Sequence, residues 1–206
     1  MKKVSIAEWP RRELFEFFSG MSQPFFSVTF NMDVTRLYKF SKAQGISFYY
    51  ALVYLATKAM NAVEAFRYTL VDGELYLLDE RIPSFTDLRK GAENFHIVTA
   101  PCGDDIAEFC ERAKKQSNEQ REFIVMGDEG PELAFFTCLP WVEMTAMTNE
   151  RSFDRDDAIP RLAWGKYTER DGRKVLGMSM ELNHRFTDGV HVGMFSEKLT
   201  ELISKL

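Results

Sequence analysis

Histidine is scarce in this chain, and two of its three histidines, His184 and His191, fall in one stretch, Glu181-Leu-Asn-His-Arg-Phe-Thr-Asp-Gly-Val-His-Val-Gly193. The third is His96. Imidazole takes up and returns a proton near neutral pH, so a histidine facing a cleft is a natural general base. Asp188 supplies a carboxylate four residues after His184, and Gly189 lets the backbone turn sharply. Spacing alone leaves three readings open: a base beside its carboxylate, a structural histidine at an Asp-Gly turn, or a metal site from His184, Asp188 and His191. No cysteine or further histidine completes a metal shell nearby. Cys102, Cys110 and Cys138 are odd in number and lack CxxC spacing, so they read as reduced thiols of a cytoplasmic protein.

These groups need elements to hold them. Val175–Asn183 reads as a strand ending just before His184, and the chain after Asp188-Gly189 reads as a helix with Phe195, Leu199, Leu202 and Leu206 on its apolar stripe. Upstream, Arg11–Ser19 is a short helix opened by Pro10. Phe25–Met32 is an aromatic and β-branched strand, and Asp33 caps a helix over Val34–Ala43. Ser47 caps a longer helix, and Phe66–Val71 and Glu74–Leu78 form a hairpin around Asp72-Gly73. A further helix starts at Asp104, with strands expected at Leu133–Leu139, Val142–Thr148 and Leu162–Glu169. Interleaved helices and frequent hairpins point to an α+β fold, a two-layer sandwich of a mixed sheet with helices packed on it.

At 206 residues the chain fits one domain with a sizeable core. A net charge of −5 without a basic run argues against nucleic acid as the main partner, and no apolar stretch is long enough to cross a membrane. The opening Met-Lys-Lys-Val-Ser lacks the apolar run of a secretory signal. Eighteen phenylalanines suit a dense aromatic core or apolar subunit faces.

His184-Arg-Phe-Thr-Asp188-Gly189 matches the H-x-x-x-D-G signature shared by chloramphenicol acetyltransferases and dihydrolipoyl acyltransferase cores. Further landmarks follow in order: Trp9-Pro-Arg11, Met60-Asn61-Ala62, Asp72-Gly73-Glu74-Leu75, Pro140-Trp141-Val142 and Gly165-Lys166-Tyr167. With Val-His191-Val-Gly193 after the motif, the chain resembles the chloramphenicol acetyltransferase family over nearly its whole length. The resemblance implies His184 as the base that deprotonates an acceptor hydroxyl as its oxygen attacks the thioester of acetyl-CoA. It implies an Arg11–Asp188 ion pair that orients the turn, and Thr137 at the family's oxyanion-donating serine. Lys166 falls on the coenzyme A side, and no metal is implied. Phe18, Phe26 and Phe95 fall where aromatic residues line the acceptor pocket, with Met147 beginning a further pocket segment. A homotrimer with its active sites at subunit interfaces is implied as well.

Departures from the pattern are informative. Ala163 stands where the family has a threonine, and Asn183 replaces the first of paired histidines. The segment Met147-Thr-Asn149-Glu-Arg151-Ser replaces an apolar stretch, so either Arg151 turns outward or the acceptor is more polar or anionic than chloramphenicol. A dihydrolipoyl acyltransferase core is disfavoured because no lipoyl segment precedes the motif-bearing region. A non-catalytic ligand-binding relative is the reading from another class.

Overall fold

The computed structural model describes residues 1–127, 130–152 and 154–206. Fifteen regular elements succeed one another: β1 (Lys2–Lys3), α1 (Arg12–Ser19), β2 (Phe25–Asp33), α2 (Thr35–Gln44), α3 (Phe48–Asn61), β3 (Tyr68–Val71), β4 (Glu74–Leu77), β5 (Ile82–Asp87), β6 (His96–Thr99), α4 (Ile106–Glu119), β7 (Leu133–Leu139), β8 (Arg161–Gly165), β9 (Thr168–Arg170), β10 (Arg173–Asn183) and α5 (Gly189–Ser204). Caps set several starts. The Ser47 side chain accepts from the Tyr50 N–H at the head of α3, and Asp105, one residue later than expected, accepts from Ala107 and Glu108 at the head of α4. The two Asp-Gly hairpin turns place both residues at positive φ, 52° and 76° at Asp72-Gly73 and 50° and 75° at Asp171-Gly172, as a two-residue hairpin requires.

The main sheet runs β2-β10-β8-β7-β5-β6, with β9 added to β10. Strands β5, β7 and β8 are parallel to one another, whereas β10 is antiparallel to both β8 and β2. The architecture is therefore the expected α+β mixed sheet under helices, with a small second sheet β1-β4-β3 beside it. Alternation along β10 sorts its two faces. Leu176, Met178, Met180 and Leu182 enter the core shared with α3 and α5, while Gly177, Ser179, Glu181 and Asn183 face the other way.

That second face explains one correction. Val142–Thr148 is not a strand: it lies across the face of β8 and β10, held by isolated hydrogen bonds. Val142 O accepts from the Lys166 N–H at 2.7 Å, and Met147 O accepts from Ser179 Oγ at 3.0 Å. Both edges of β7 and of β8 are already paired, so no in-plane place remains for the segment beside either of them. Gly177 permits the crossing, because a Cβ there would stand 2.1 Å from Met144 O. Leu162–Glu169 likewise divides into β8 and β9. Strands β5 and β6 escape the pattern reading, since Pro83 inside β5 argues against a buried strand.

Candidate active site

His184 follows directly on β10, and its N–H donates to Pro24 O at 2.7 Å, which extends the pairing with the β2 side past the strand end. The ring is stacked on Phe18, centroids 4.0 Å apart and nearly parallel, and tilted against Phe26 at 4.4 Å. Its Nδ1 lies 3.0 Å from Thr187 O and 3.0 Å from Asp188 Oδ1. Both neighbours are acceptors, so in the neutral ring Nδ1 carries the proton and Nε2 the lone pair. A base needs that tautomer.

Arg11 holds the turn. It pairs with the Asp188 carboxylate and also donates to the carbonyls of Arg185 at 3.1 Å, His184 at 2.8 Å and Thr187 at 3.1 Å. The Arg11 guanidinium lowers the Asp188 carboxyl below the usual range, against the opposing effect of its partial burial. Behind this corner Trp9, Phe15 and Phe186 form their own buried aromatic cluster. His191 accepts from the Asp188 N–H on Nδ1 at 2.9 Å and so closes the first turn of α5. Burial, aided by nearby Arg11, lowers its pKa. Among the described residues no group of three His, Cys, Asp or Glu side chains is arranged to hold a metal ion.

Thr137, Phe95, Met147 and Lys166 lie elsewhere, around a cavity of about 1370 Å³. The carboxyl ends of β5, β7 and β8 border it, with Thr86, Asp87, Trp141 and Tyr167 in its walls. Phe95 packs on Phe123 at 5.5 Å, and Thr137 Oγ1 lies 2.9 Å from Thr86 Oγ1. The Cys138 thiol lines the same cavity, but burial pushes it up to about 12, which leaves it protonated.

The two groups of residues occupy opposite ends of the sheet. Thr137 pairs with Ala163, and Ala163 with Ser179, so Thr137 is two strands from the fifth residue before His184. At about 3.3 Å per residue and about 4.8 Å per strand, their Cα atoms are roughly 19 Å apart. Within one chain the structure brings together Arg11, Phe18, Phe26, His184 and Asp188, and separately Thr137, Phe95, Met147 and Lys166.

Comparison with known proteins identifies the family and the fold. The family model for chloramphenicol acetyltransferase matches residues 1–200. The chain belongs to the chloramphenicol acetyltransferase family. Membership makes it an acyltransferase. It is 29% identical over 203 residues to chloramphenicol acetyltransferase 3 of Escherichia coli, covering 97% of this chain and 95% of the relative. It is 28% identical to the Campylobacter coli chloramphenicol acetyltransferase, covering 98% of each. A solved chloramphenicol acetyltransferase superposes with a TM-score of 0.88 over 98% of this chain and 99% of its own, at 24% identity. The fold extends to a dihydrolipoamide acetyltransferase of Azotobacter vinelandii, with a TM-score of 0.71, 16% identity and coverage of 93% and 86%.

Against that family pattern, Arg151 does not take the outward turn that was one of the two expectations. It turns inward, 2.6 Å from Glu181 and 3.2 Å from Asp157, with its guanidinium 3.7 Å over the Phe25 ring. Its charge is met by two carboxylates, which removes the penalty of an unpaired buried ion. It therefore gives no support to an anionic acceptor. Sequence reasoning also missed a polar cluster at the cavity wall. Tyr50 Oη and Ser117 Oγ each donate to Asp87 Oδ2 at 2.5 Å, and His96 Nε2 lies 2.9 Å from Ser117 Oγ. This is no catalytic triad: the Ser117 proton is already given to Asp87, so His96 must donate rather than abstract. No spacing rule links positions 50, 87, 96 and 117, and only the fold joins them.

Proposed function

We propose that the protein transfers an acetyl group from acetyl-CoA to a hydroxyl of a small molecule, chloramphenicol or a more polar alcohol. His184 Nε2 takes the proton of the acceptor hydroxyl as its oxygen attacks the thioester carbonyl. The tetrahedral oxyanion collapses and expels the coenzyme A thiolate, which the proton held by His184 then neutralises. Asp188 and Arg11 fix the ring, and Thr137 donates to the oxyanion. Phe18, Phe26, Phe95 and Met147 contact the acceptor, and Lys166 meets coenzyme A.

The observation that carries this reading is the His184 ring, with Nδ1 held by two acceptors in the tautomer that puts the lone pair on Nε2. The separation of His184 from Thr137 adds a requirement: both can act on one intermediate only if two copies of the chain supply them. A homotrimer in which His184 of one subunit faces the cavity of the next meets it. The test is a thiol-release screen with acetyl-CoA and a panel of alcohols that includes chloramphenicol. Release that depends on the alcohol and disappears in His184→Ala is expected. Undiminished turnover in His184→Ala would sink the mechanism.

A further inference from the structure

Thr137 does not stand alone in its wall. It sits in β7 between Thr86 of β5 and Ala163 of β8, on the sheet face away from the helices. Ala163 offers no hydrogen bond, so Thr86 is the side-chain partner of Thr137 among the described residues, Oγ1 to Oγ1 at 2.9 Å. We propose that Thr86 is a positioning residue that donates its hydroxyl proton to Thr137 and so turns the Thr137 proton into the cavity. This inference rests on Thr137 as the oxyanion donor.

Proton counting supports it. Two hydroxyls in contact use one proton between them and leave the other free. If Thr137 donated to Thr86, its proton would point at the wall and the oxyanion would meet a lone pair. If Thr86 donates, the Thr137 proton is the free one, and the chain of two hydroxyls polarises it. Both residues are β-branched, which limits the side-chain rotation that would break the contact.

The backbone under Thr86 is held with unusual care. Tyr49 Oη donates to Thr86 O at 2.5 Å, while the next residue of α3, Tyr50, donates to Asp87 Oδ2 at 2.5 Å. Two consecutive tyrosines thus fix two consecutive residues of β5. The Tyr49 ring is itself wedged between Phe85 and Trp164, at 6.0 and 5.6 Å. Thr86 is therefore presented to Thr137 from a rigid strand end.

The test compares Thr86→Val, Thr86→Ser, Thr86→Ala, Thr137→Val and the Thr86→Val/Thr137→Val double variant in the thiol-release assay with acetyl-CoA and the alcohol panel. Loss of the aligning hydrogen bond predicts that kcat of Thr86→Val falls about tenfold, with KM for both substrates within about twofold and a thermal midpoint lowered by no more than about 2–4 °C. Thr86→Ser should keep most of kcat, Thr86→Ala should behave as Thr86→Val, and the double variant should be no slower than Thr137→Val alone. Normal kcat in both Thr86→Val and Thr86→Ala, beside a slow Thr137→Val, overturns the Thr86 assignment only. So does a double variant whose losses multiply. Full activity in Thr137→Val, or no release from the wild-type protein with any alcohol, overturns the oxyanion reading and this inference together.

Discussion

The two ends of the sheet solve opposite problems. At the β10 end His184 is held from several sides: Phe18 and Phe26 cover its ring, Thr187 O and Asp188 accept from its Nδ1–H, and Arg11 ties three carbonyls and a carboxylate of the same turn together. At the other end the carboxyl edges of β5, β7 and β8 leave a broad cavity whose walls come from many segments, with Thr137 held through one neighbour. One end is a packed turn around His184, and the other is an open cavity. Precision and space are separated because a packed turn cannot also be an open cleft. The proposed chemistry would therefore bring one end of one copy against the other end of a second.

The largest expected effect breaks that comparison directly. Removing the base in His184→Ala should cost roughly 10²–10⁴ in kcat, and Thr137→Val roughly 10²–10³. Unfolding and refolding the two inactive variants together should restore activity, because mixed oligomers contain interfaces with an intact His184 from one chain and an intact Thr137 from the other. Recovery to a sizeable fraction of wild-type turnover is expected. No recovery, with oligomers shown to have mixed, would place both groups in one chain and contradict their separation in the sheet.

The next effect sharpens the contrast in rigidity. Arg11→Ala leaves Asp188 and three carbonyls without their donor. The Asp188 side chain keeps 28% exposure, so the cost should be about 2–3 kcal/mol, below that of a fully buried pair, with a fall of roughly 5–10 °C in thermal midpoint. The pair also predicts a pH dependence of stability. Arg11 holds the Asp188 carboxyl lower in the folded than in the unfolded chain, so the pair stabilises above the unfolded carboxylate range and is lost as pH falls through the lower folded value. The stability gap between wild type and Asp188→Asn should thus be full near neutrality and close below about pH 4. A gap that persists unchanged at pH 2 would show that shape, not charge, accounts for it.

How far the sequence foretells these ends follows the same division. The His184 corner is local: His184, Asp188 and His191 share a few residues of chain, and the landmark Trp9-Pro-Arg11 reaches the one distant partner. The fold class and the capped helices were legible for a related reason, since periodicity and caps act over neighbouring residues. The cavity end is made of long-range pairings. Thr86 meets Thr137 and Tyr49 meets Thr86 there, and between the two ends Arg151 finds Glu181 and Asp157 just after a segment expected to be a strand. Alternation reports that a segment can lie flat on apolar surface; it cannot report whether a strand edge is free to receive it.

The smallest effect concerns the mouth of the cavity. Lys166 is exposed there, beside Tyr167, with its backbone N–H fixed to Val142 O at 2.7 Å. An ammonium in water gains little from a phosphate, because solvent already stabilises both charges and the side chain must be immobilised. Lys166→Ala should therefore raise KM for acetyl-CoA by only about two- to fivefold, the equivalent of about 1 kcal/mol or less, and leave kcat unchanged. The difference from wild type should shrink further as salt rises toward 1 M, where screening acts within about 3 Å. An unchanged KM at low salt would remove Lys166 from the coenzyme A site, whereas a large fall in kcat would move it from the rim to the reacting centre and so erase the distinction between the open and the rigid end.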